Sequence, residues 1–293
     1  MSNSGVTAAL SFPSALPDNH MVRVFTSMNR LRTAANEVFA SLDNKQSTNQ
    51  WLLVLGLPTT VIKRLDEDRN CLEAINYRFQ WQGRSGLIKV IPTAQHETIT
   101  TRVMFSVNDA LAAMGLHWSD SEWVGHTTYK PNLAKGKQPD NAFLPPSRCT
   151  IPLSSTGWPT LVIETGVSES LSQLRADAAK WFADSNGDVR IALVIAIKDS
   201  RVDIEKWQLA PEGASPLDLQ VPDSQQPYCA QEITITPQGV TGTPLVLPFN
   251  ALLFEDYDED VVKSTRTVRL NDDVLTLATS RYGFEGNAGR VDP

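Results

Sequence analysis

The sequence has few cysteines and no long apolar segment. Its three cysteines, Cys71, Cys149 and Cys229, are widely spaced and form no Cys-X-X-Cys or cysteine–histidine pattern. Such spacing predicts reduced thiols in an intracellular protein, without a disulfide framework or a cysteine-bound metal. No segment approaches the roughly 18 to 20 apolar residues needed to span a bilayer. We therefore expect a soluble protein with no membrane partner.

Positive charge is also scarce. The chain carries 26 Lys and Arg against 33 Asp and Glu, a formal net charge of −7. This balance argues against a surface coated with basic residues for nonspecific DNA binding, but it is compatible with a local basic cleft. The first twenty residues contain no Lys or Arg and are interrupted by Pro13 and Pro17. We expect no secretory signal there, and a location in the cytoplasm or nucleus.

The remaining composition, 41% hydrophobic and 20% charged, is typical of a globular protein with one large domain or two small ones. Residues 1–20 are expected to be a flexible tail. Apolar residues at helical spacing, followed by a second helix after Pro58, predict a helical lead-in over 21–70. The main core is expected over 71–210. Residues 211–293 form a C-terminal extension that contains strands and packs on the core.

Between residues 95 and 198 the predicted order of elements is αβββαβ. Apolar periodicity indicates helices at 95–114 and 168–183, and strands at 122–129, 141–144, 161–165 and 189–197. A hairpin at 77–82 and 86–91 precedes this unit, and a strand at 202–209 follows it. Helices that alternate with apolar strands predict an α/β fold, in which a mixed central sheet is flanked by helices. The strands at 161–165 and 189–197 should be central and adjacent.

Two acidic residues lie at the ends of two successive predicted strands of this unit. Asp140 follows Pro139 at the start of one predicted strand, and Glu164 lies near the end of the next, in the run Leu-Val-Ile-Glu-Thr-Gly. A charge in an otherwise apolar strand is costly unless it has a partner. If the two strands are neighbours, both carboxylates can hold a hard cation such as Mg²⁺ or Mn²⁺. The alternative is that each acid is a structural surface residue.

The element order, with Pro-Asp at one strand and Glu-X-X at the next, resembles the PD-(D/E)XK or restriction-endonuclease-like nuclease superfamily. The resemblance covers residues 87–208. The wording Trp-Pro-Thr-Leu-Val-Ile-Glu-Thr-Gly-Val-Ser-Glu-Ser-Leu over 158–171 is also similar to a set of uncharacterised fungal proteins. The superfamily implies a Mg²⁺- or Mn²⁺-dependent nuclease, a hydrolase of phosphodiester bonds. It implies Asp140 and Glu164 as metal ligands and Glu97 as an acid supplied by the first core helix.

The sequence departs from the family pattern at Gly166, where the family has a lysine. We expect a lysine from elsewhere to replace it, because developing charge on the phosphate needs a cation. At helical spacing, Gln173, Asp177 and Lys180 share one face of the second core helix. Lys180 is the first candidate and Lys137 the second, and Gln173 is a candidate hydrogen-bonding residue of the site. The alternative is that this face is simply solvated.

Several other residues near the two acids could take part. Lys130, Lys135 and Lys137 lie in a segment with no acid before Asp140, which we expect to be a mobile loop that contacts phosphates or is merely solvated. Arg148 could extend this basic patch. His96 could orient water or bind the metal, although a capping or packing role is commoner. His126 is expected to be a strand residue beside the site with no assigned role. Trp118 and Trp123 could stack on bases, although packing is commoner.

Three classes of function remain open. The first is a metal-dependent nuclease that acts on DNA, with RNA as the alternative substrate. The second is a catalytically decayed protein with a nuclease fold, which binds nucleic acid or protein without cutting. The third is an interaction or effector-like protein in which the helical lead-in and the C-terminal segment do the work. The acidic run 255–260 could repel or mimic nucleic acid, or is simply solvated. A homodimer is compatible with all three.

Overall fold

The computed structural model describes residues 16–91, 94–117, 119, 121–125, 127–149, 157–167, 171–198, 200–209, 226–253 and 267–271. Within these residues, fifteen strands form two main sheets and one small sheet, and five α-helices accompany them. The class is mixed α/β, as the sequence predicts. No helix in these ranges is both long and apolar enough to cross a membrane.

The helices are α1 (Met28–Asp43), α2 (Thr59–Glu67), α3 (Ala94–Ala113), α4 (Leu171–Asp184) and α5 (Phe249–Leu253). The first strands are β1 (Met21–Val24), β2 (Trp51–Leu55), β3 (Tyr77–Gln82), β4 (Ser85–Val90), β5 (Glu122–Trp123), β6 (Tyr129–Asn132), β7 (Lys135–Lys137) and β8 (Asn141–Leu144). The others are β9 (Leu161–Val167), β10 (Ile191–Lys198), β11 (Arg201–Leu209), β12 (Pro227–Thr236), β13 (Gly239–Thr241), β14 (Leu245–Pro248) and β15 (Thr267–Leu270).

The larger sheet has seven strands in the order β13-β12-β11-β10-β9-β8-β5. Strands β9 and β10 are adjacent and parallel, with α4 between them in sequence, and β8 pairs antiparallel with β9. The sheet is therefore mixed. The prediction that 161–165 and 189–197 are central and adjacent is confirmed.

Both faces of this sheet are covered by helices. Leu161 and Ile163 of β9 join a core with α3, whereas Val162 between them joins a core with Leu174 and Trp181 of α4. Successive side chains of a strand point to opposite faces, so a strand covered on both sides must be apolar throughout. This requirement explains the apolar runs of β9 and β10 and makes a charge at Glu164 exceptional.

The second sheet has six strands in the order β1-β2-β4-β3-β7-β6, and it changes the description of residues 21–70. That segment holds two helices, but it also supplies β1 and β2, so it is not a purely helical lead-in. The apolar periodicity predicted a helix from residue 21, but the first helix begins only at Met28. Ser27 accepts a hydrogen bond from the N–H of Arg30 and caps α1 at that point. The preceding residues, Met21–Val24, are extended and pair with β2.

The segment 130–137 also differs from its prediction as a loop. Its residues form most of the hairpin of β6 and β7, which pairs with β3 in the six-stranded sheet. The predicted strand at 122–129 is correspondingly divided between the short β5 in one sheet and the start of β6 in the other. Because β7 is anchored by its neighbour β3, Lys137 has a fixed position.

The C-terminal part adds to the same core. Strands β12 and β13 extend the seven-stranded sheet beyond β11, and Leu247, Leu252 and Val268 join the core that contains α3. The strands expected in the C-terminal extension include β12 and β14. Most of the predicted tail 1–20 and the acidic run 255–260 lie outside the described residues.

The two main sheets meet at a short connection. Strand β7 ends at Lys137, and β8 of the other sheet begins at Asn141. The N–H of Gln138 donates to the carbonyl of Phe79 in one sheet at 3.2 Å, and the N–H of Asp140 donates to the carbonyl of Ile163 in the other at 3.2 Å. Asp140 therefore lies where the sheets join.

Candidate active site

Asp140 and Glu164 converge at this junction. Asp140 exposes none of its side chain and Glu164 only 2%. The N–H of Thr165 donates to Oδ2 of Asp140 at 2.7 Å and holds that carboxylate against β9, the strand that carries Glu164. Glu164 lies on β9 and Asp140 immediately precedes β8, which pairs with β9, and both carboxylates are removed from water.

The cation between them is Lys89, from β4 of the six-stranded sheet. Its Nζ lies 2.6 Å from Oδ2 of Asp140 and 3.3 Å from Oε2 of Glu164. The ammonium also lies 5.6 Å from the centroid of the Trp51 ring. Sequence reasoning missed Lys89, although a signal was present: it is a lone charge in the apolar run Leu-Ile-Lys-Val, the same kind of anomaly that singled out Glu164.

The electrostatics keep this pair ionised. Burial alone would raise the pKa of Asp140, but Lys89, His96 and Arg78 lower it well below the ordinary aspartate value. Burial alone would lower the pKa of Lys89, but Asp140 and Glu164 attract the ammonium and raise it. Each partner thus offsets the desolvation of the other.

A second lysine contacts the other side of Glu164. Nζ of Lys137 lies 3.2 Å from Oε1 of Glu164 and 2.6 Å from Oδ1 of Asp177 on α4. The indole N–H of Trp181 donates to the same Glu164 oxygen at 2.7 Å, and the Lys137 ammonium lies 5.1 Å from that ring. Gln173 donates from Nε2 to Asp177 at 3.2 Å. Lys137 and Gln173, both predicted site residues, are therefore part of one buried cluster.

Arg78 and His96 flank Asp140 on the side of α3. Nε of Arg78 lies 3.4 Å from Oδ1 of Asp140, and its Nη2 lies 3.4 Å from Oε1 of Glu97. The predicted acid Glu97 thus reaches the site through Arg78. Nε2 of His96 lies 2.8 Å from the carbonyl oxygen of Thr165 and 3.4 Å from Asp140. Because a carbonyl only accepts hydrogen bonds, this nitrogen carries the hydrogen.

The other predicted basic residues lie in different surroundings. Lys180 pairs with Asp184 at 2.9 Å, one turn further along α4. Lys130 pairs with Asp66 at 2.8 Å, and Lys135 lies opposite Gln82 in the sheet. Arg148 donates to the carbonyl of Trp158 and the side chain of Asp188. Trp123 donates its N–H to Asn108, whereas Trp118 and His126 lie outside the described residues.

The donor set fits a hard cation in part. Oδ1 of Asp140 and Oε1 of Gln173 are buried oxygens that accept no hydrogen bond. Such oxygens suit a cation that prefers oxygen ligands. Within the described ranges, no group of three or more His, Cys, Asp or Glu side chains is arranged to hold a metal. The carboxylates of Asp140, Glu164 and Asp177 are instead matched by three cations from Lys89, Lys137 and Arg78.

Comparisons with known proteins complete these observations. No family model matches the chain, and no curated protein matches it. Among solved structures, the chain is similar to a candidate nuclease belonging to DUF820 from Anabaena variabilis. The TM-score is 0.40 at 11% sequence identity, over 68% of this chain and 90% of that one. The mixed α/β class of the present protein is established by its own strand pairing and does not depend on this similarity.

Proposed function

We propose that the protein is a metal-dependent phosphodiesterase of the nuclease type, which acts on DNA, with RNA as the alternative substrate. The observation that carries the proposal is the convergence of Asp140 and Glu164 on one cation, the ammonium of Lys89. Carboxylates that share a cation in this way suit Mg²⁺ or Mn²⁺, which prefer oxygen ligands.

In this proposal, Asp140 and Glu164 would hold the metal ion, and the chemistry it would supply is polarisation of a phosphoryl oxygen and activation of water. Hydrolysis forms one P–O bond to the water oxygen and breaks the P–O bond to the leaving oxygen, which takes up a proton. Lys137 supplies the cation that Gly166 does not, since its ammonium already lies beside Glu164. Gln173 orients Asp177 beside Lys137, and Glu97 holds Arg78. Lys130 and Lys135 are the proposed contacts to nucleic-acid phosphates.

The proposal also requires that a substrate can reach side chains that are buried in this structure. Lys89, Lys137, Asp140 and Glu164 each expose 6% or less of the side chain. A phosphodiester of any nucleic acid must therefore reach them through an opening of the junction between the sheets. Lids and loops that open on the microsecond to millisecond timescale are common in enzymes.

A second candidate function is favoured by the charge balance. The three buried carboxylates already have three cationic partners within 3.4 Å. A fully paired cluster can be retained for its contribution to a specific fold. In that case the chain is a decayed nuclease-fold protein, which binds nucleic acid or protein without cutting.

Incubation with single- and double-stranded DNA and RNA in Mg²⁺ or Mn²⁺ separates the two candidates. The nuclease proposal expects metal-dependent cleavage that EDTA stops and that Asp140→Ala and Glu164→Ala abolish. Cleavage that persists in both variants would identify a contaminating nuclease. If the folded wild-type protein binds nucleic acid but leaves all four substrates intact, the binding function is the correct one.

A further inference from the structure

The Lys89 ammonium occupies the point on which the two proposed metal ligands converge. Its Nζ contacts Asp140 at 2.6 Å and Glu164 at 3.3 Å, so oxygens of both carboxylates face one nitrogen. A divalent cation held by the same two side chains would lie at the same point. Two cations cannot share it, because the repulsion between them adds to the overlap of their shells.

We infer that Lys89 is an internal cation that competes with the divalent metal, so that metal enters only when the lysine leaves the two carboxylates. This inference rests on the proposed function and concerns the regulation of the same site. Lys89 belongs to β4 of the six-stranded sheet, while Glu164 lies on β9 of the seven-stranded sheet and Asp140 directly precedes its strand β8. A movement between the sheets at residues 138–140 would withdraw the ammonium and open the site together.

Lys89 fits this role better than the neighbouring cations do. Lys137 contacts Glu164 and Asp177 but makes no described contact with Asp140. Arg78 is held by several backbone carbonyls, including those of Pro139 and Asp140, in addition to its carboxylate contacts. A planar guanidinium fixed by several hydrogen bonds is difficult to displace, whereas the lysine ammonium is a point charge on a flexible stem.

The indole of Trp51 offers the ammonium a second contact. Its ring centroid lies 5.6 Å from Nζ of Lys89, within the range of a cation–π interaction. Trp51 lies on β2, adjacent to β4, and is itself buried. A displaced ammonium can therefore move along its own sheet without losing every favourable contact.

If Lys89 competes with the metal, removing its side-chain charge should raise the affinity for the metal. Truncating a residue of a metal site ordinarily weakens binding. Replacing Lys89 by methionine removes one positive charge from a balanced cluster and leaves Asp140 with a buried negative charge in excess. Mn²⁺ would then bind without displacing a competitor, and its affinity should rise.

The test is calorimetric titration of Mn²⁺ into wild-type protein, Lys89→Met and Lys198→Met. Lys198 is the matched control, because it also pairs with a largely buried carboxylate, that of Asp203 at 2.8 Å, outside this cluster. We expect Lys89→Met to bind Mn²⁺ about tenfold or more tightly than the wild type, a difference of roughly 1.4 kcal/mol per factor of ten. Lys198→Met should match the wild type.

A second measurement covers the case in which Lys89→Met folds poorly without metal. Thermal unfolding of Lys89→Met and Lys89→Gln should show a larger rise of the melting temperature with Mn²⁺ than the wild type shows, because tighter binding to the folded state stabilises it more. Equal or weaker affinity in both variants, with metal binding intact in the wild type, overturns the competition and leaves the proposed function standing. If neither the wild type nor the variants bind Mn²⁺, both fail.

Discussion

The ammonium of Lys137 lies 2.6 Å from Oδ1 of Asp177 and joins a strand of one sheet to a helix that covers the other. The pair is buried, and Gln173 donates to the same Asp177 oxygen. Asp177, itself held by Gln173, thus fixes a lysine that sequence reasoning placed in a mobile loop. This fixed position is what makes Lys137 suitable as a replacement for the lysine missing at Gly166.

The first prediction compares the two candidate lysines. If the protein cleaves nucleic acid, Lys137→Met should reduce the rate about a hundredfold or more, because a cation is lost beside the developing phosphate charge. Lys180→Met should have little effect, since Lys180 pairs with Asp184. Initial cleavage rates of the two variants in Mg²⁺ measure the difference.

Calorimetry with Mn²⁺ is the control for that comparison. Both variants should still bind the metal, which shows that Asp140 and Glu164 remain in place. A larger loss of cleavage in Lys180→Met than in Lys137→Met would reverse the assignment of the replacement lysine. Undiminished cleavage in both variants and in the double variant would reject a replacement lysine from either position.

Within the seven-stranded sheet, the sequence predicted the order α3, β5, β8, β9, α4, β10 because most of these elements carry strong local signals, but it missed the β6–β7 hairpin between β5 and β8. The apolar runs of β9 and β10 and the periodic stripe of α3 are determined by the core that each element must face. The sequence also pointed to Glu164, because a charge in an apolar strand is anomalous wherever the strand pairs. Asp140 was singled out by its Pro-Asp context at the start of the preceding strand.

The contribution of the six-stranded sheet could not be predicted in the same way. Lys89 and Arg78 reach Asp140 only because two sheets meet at residues 138–140, and such a contact leaves no local pattern. The helical face that holds Gln173 and Asp177 was identified, but Lys180 lies seven residues beyond Gln173, about 10 Å further along the helix axis. The angular position of Lys180 on the helix matched that of Gln173, but it gave no information about this separation along the axis.

The second prediction concerns the coupling of Lys89 and Asp140. Because both side chains are buried, Lys89→Met or Asp140→Asn alone should each lower the free energy of unfolding by up to about 3–5 kcal/mol, since each removes the shortest ion pair of a buried partner. The double variant should lose clearly less than the sum of the two. Urea denaturation of the four proteins measures the cycle, and additive losses would mean that the two residues do not stabilise each other.

The third prediction uses the glycine that precedes Lys137. A Cβ at Gly136 would overlap the indole ring of Trp81 on the paired strand β3. Gly136→Ala should therefore lower stability by about 1–3 kcal/mol, as overpacking typically does, and shift β7. Gly83→Ala is a useful comparison, because nothing lies near its Cβ and its φ of 55° is the source of strain there. Only Gly136→Ala should also weaken cleavage, which a cleavage assay at matched folded concentration would detect.

The last prediction concerns acid stability and a site away from the carboxylate cluster. Burial alone would raise the pKa of Asp203, but its hydrogen bonds with Arg201, Lys198 and Thr234 lower it below the ordinary aspartate value. A carboxyl whose pKa is lower in the folded state stabilises the fold above its unfolded pKa, near about 3.9, and this stability is lost as the pH falls through the folded value. Asp203→Asn should therefore be less stable than the wild type at neutral pH, and the difference should shrink progressively below about pH 4. Urea denaturation of both proteins from neutral to acidic pH measures it, and a difference that stays constant across that range would show that the ionised carboxylate of Asp203 does not contribute.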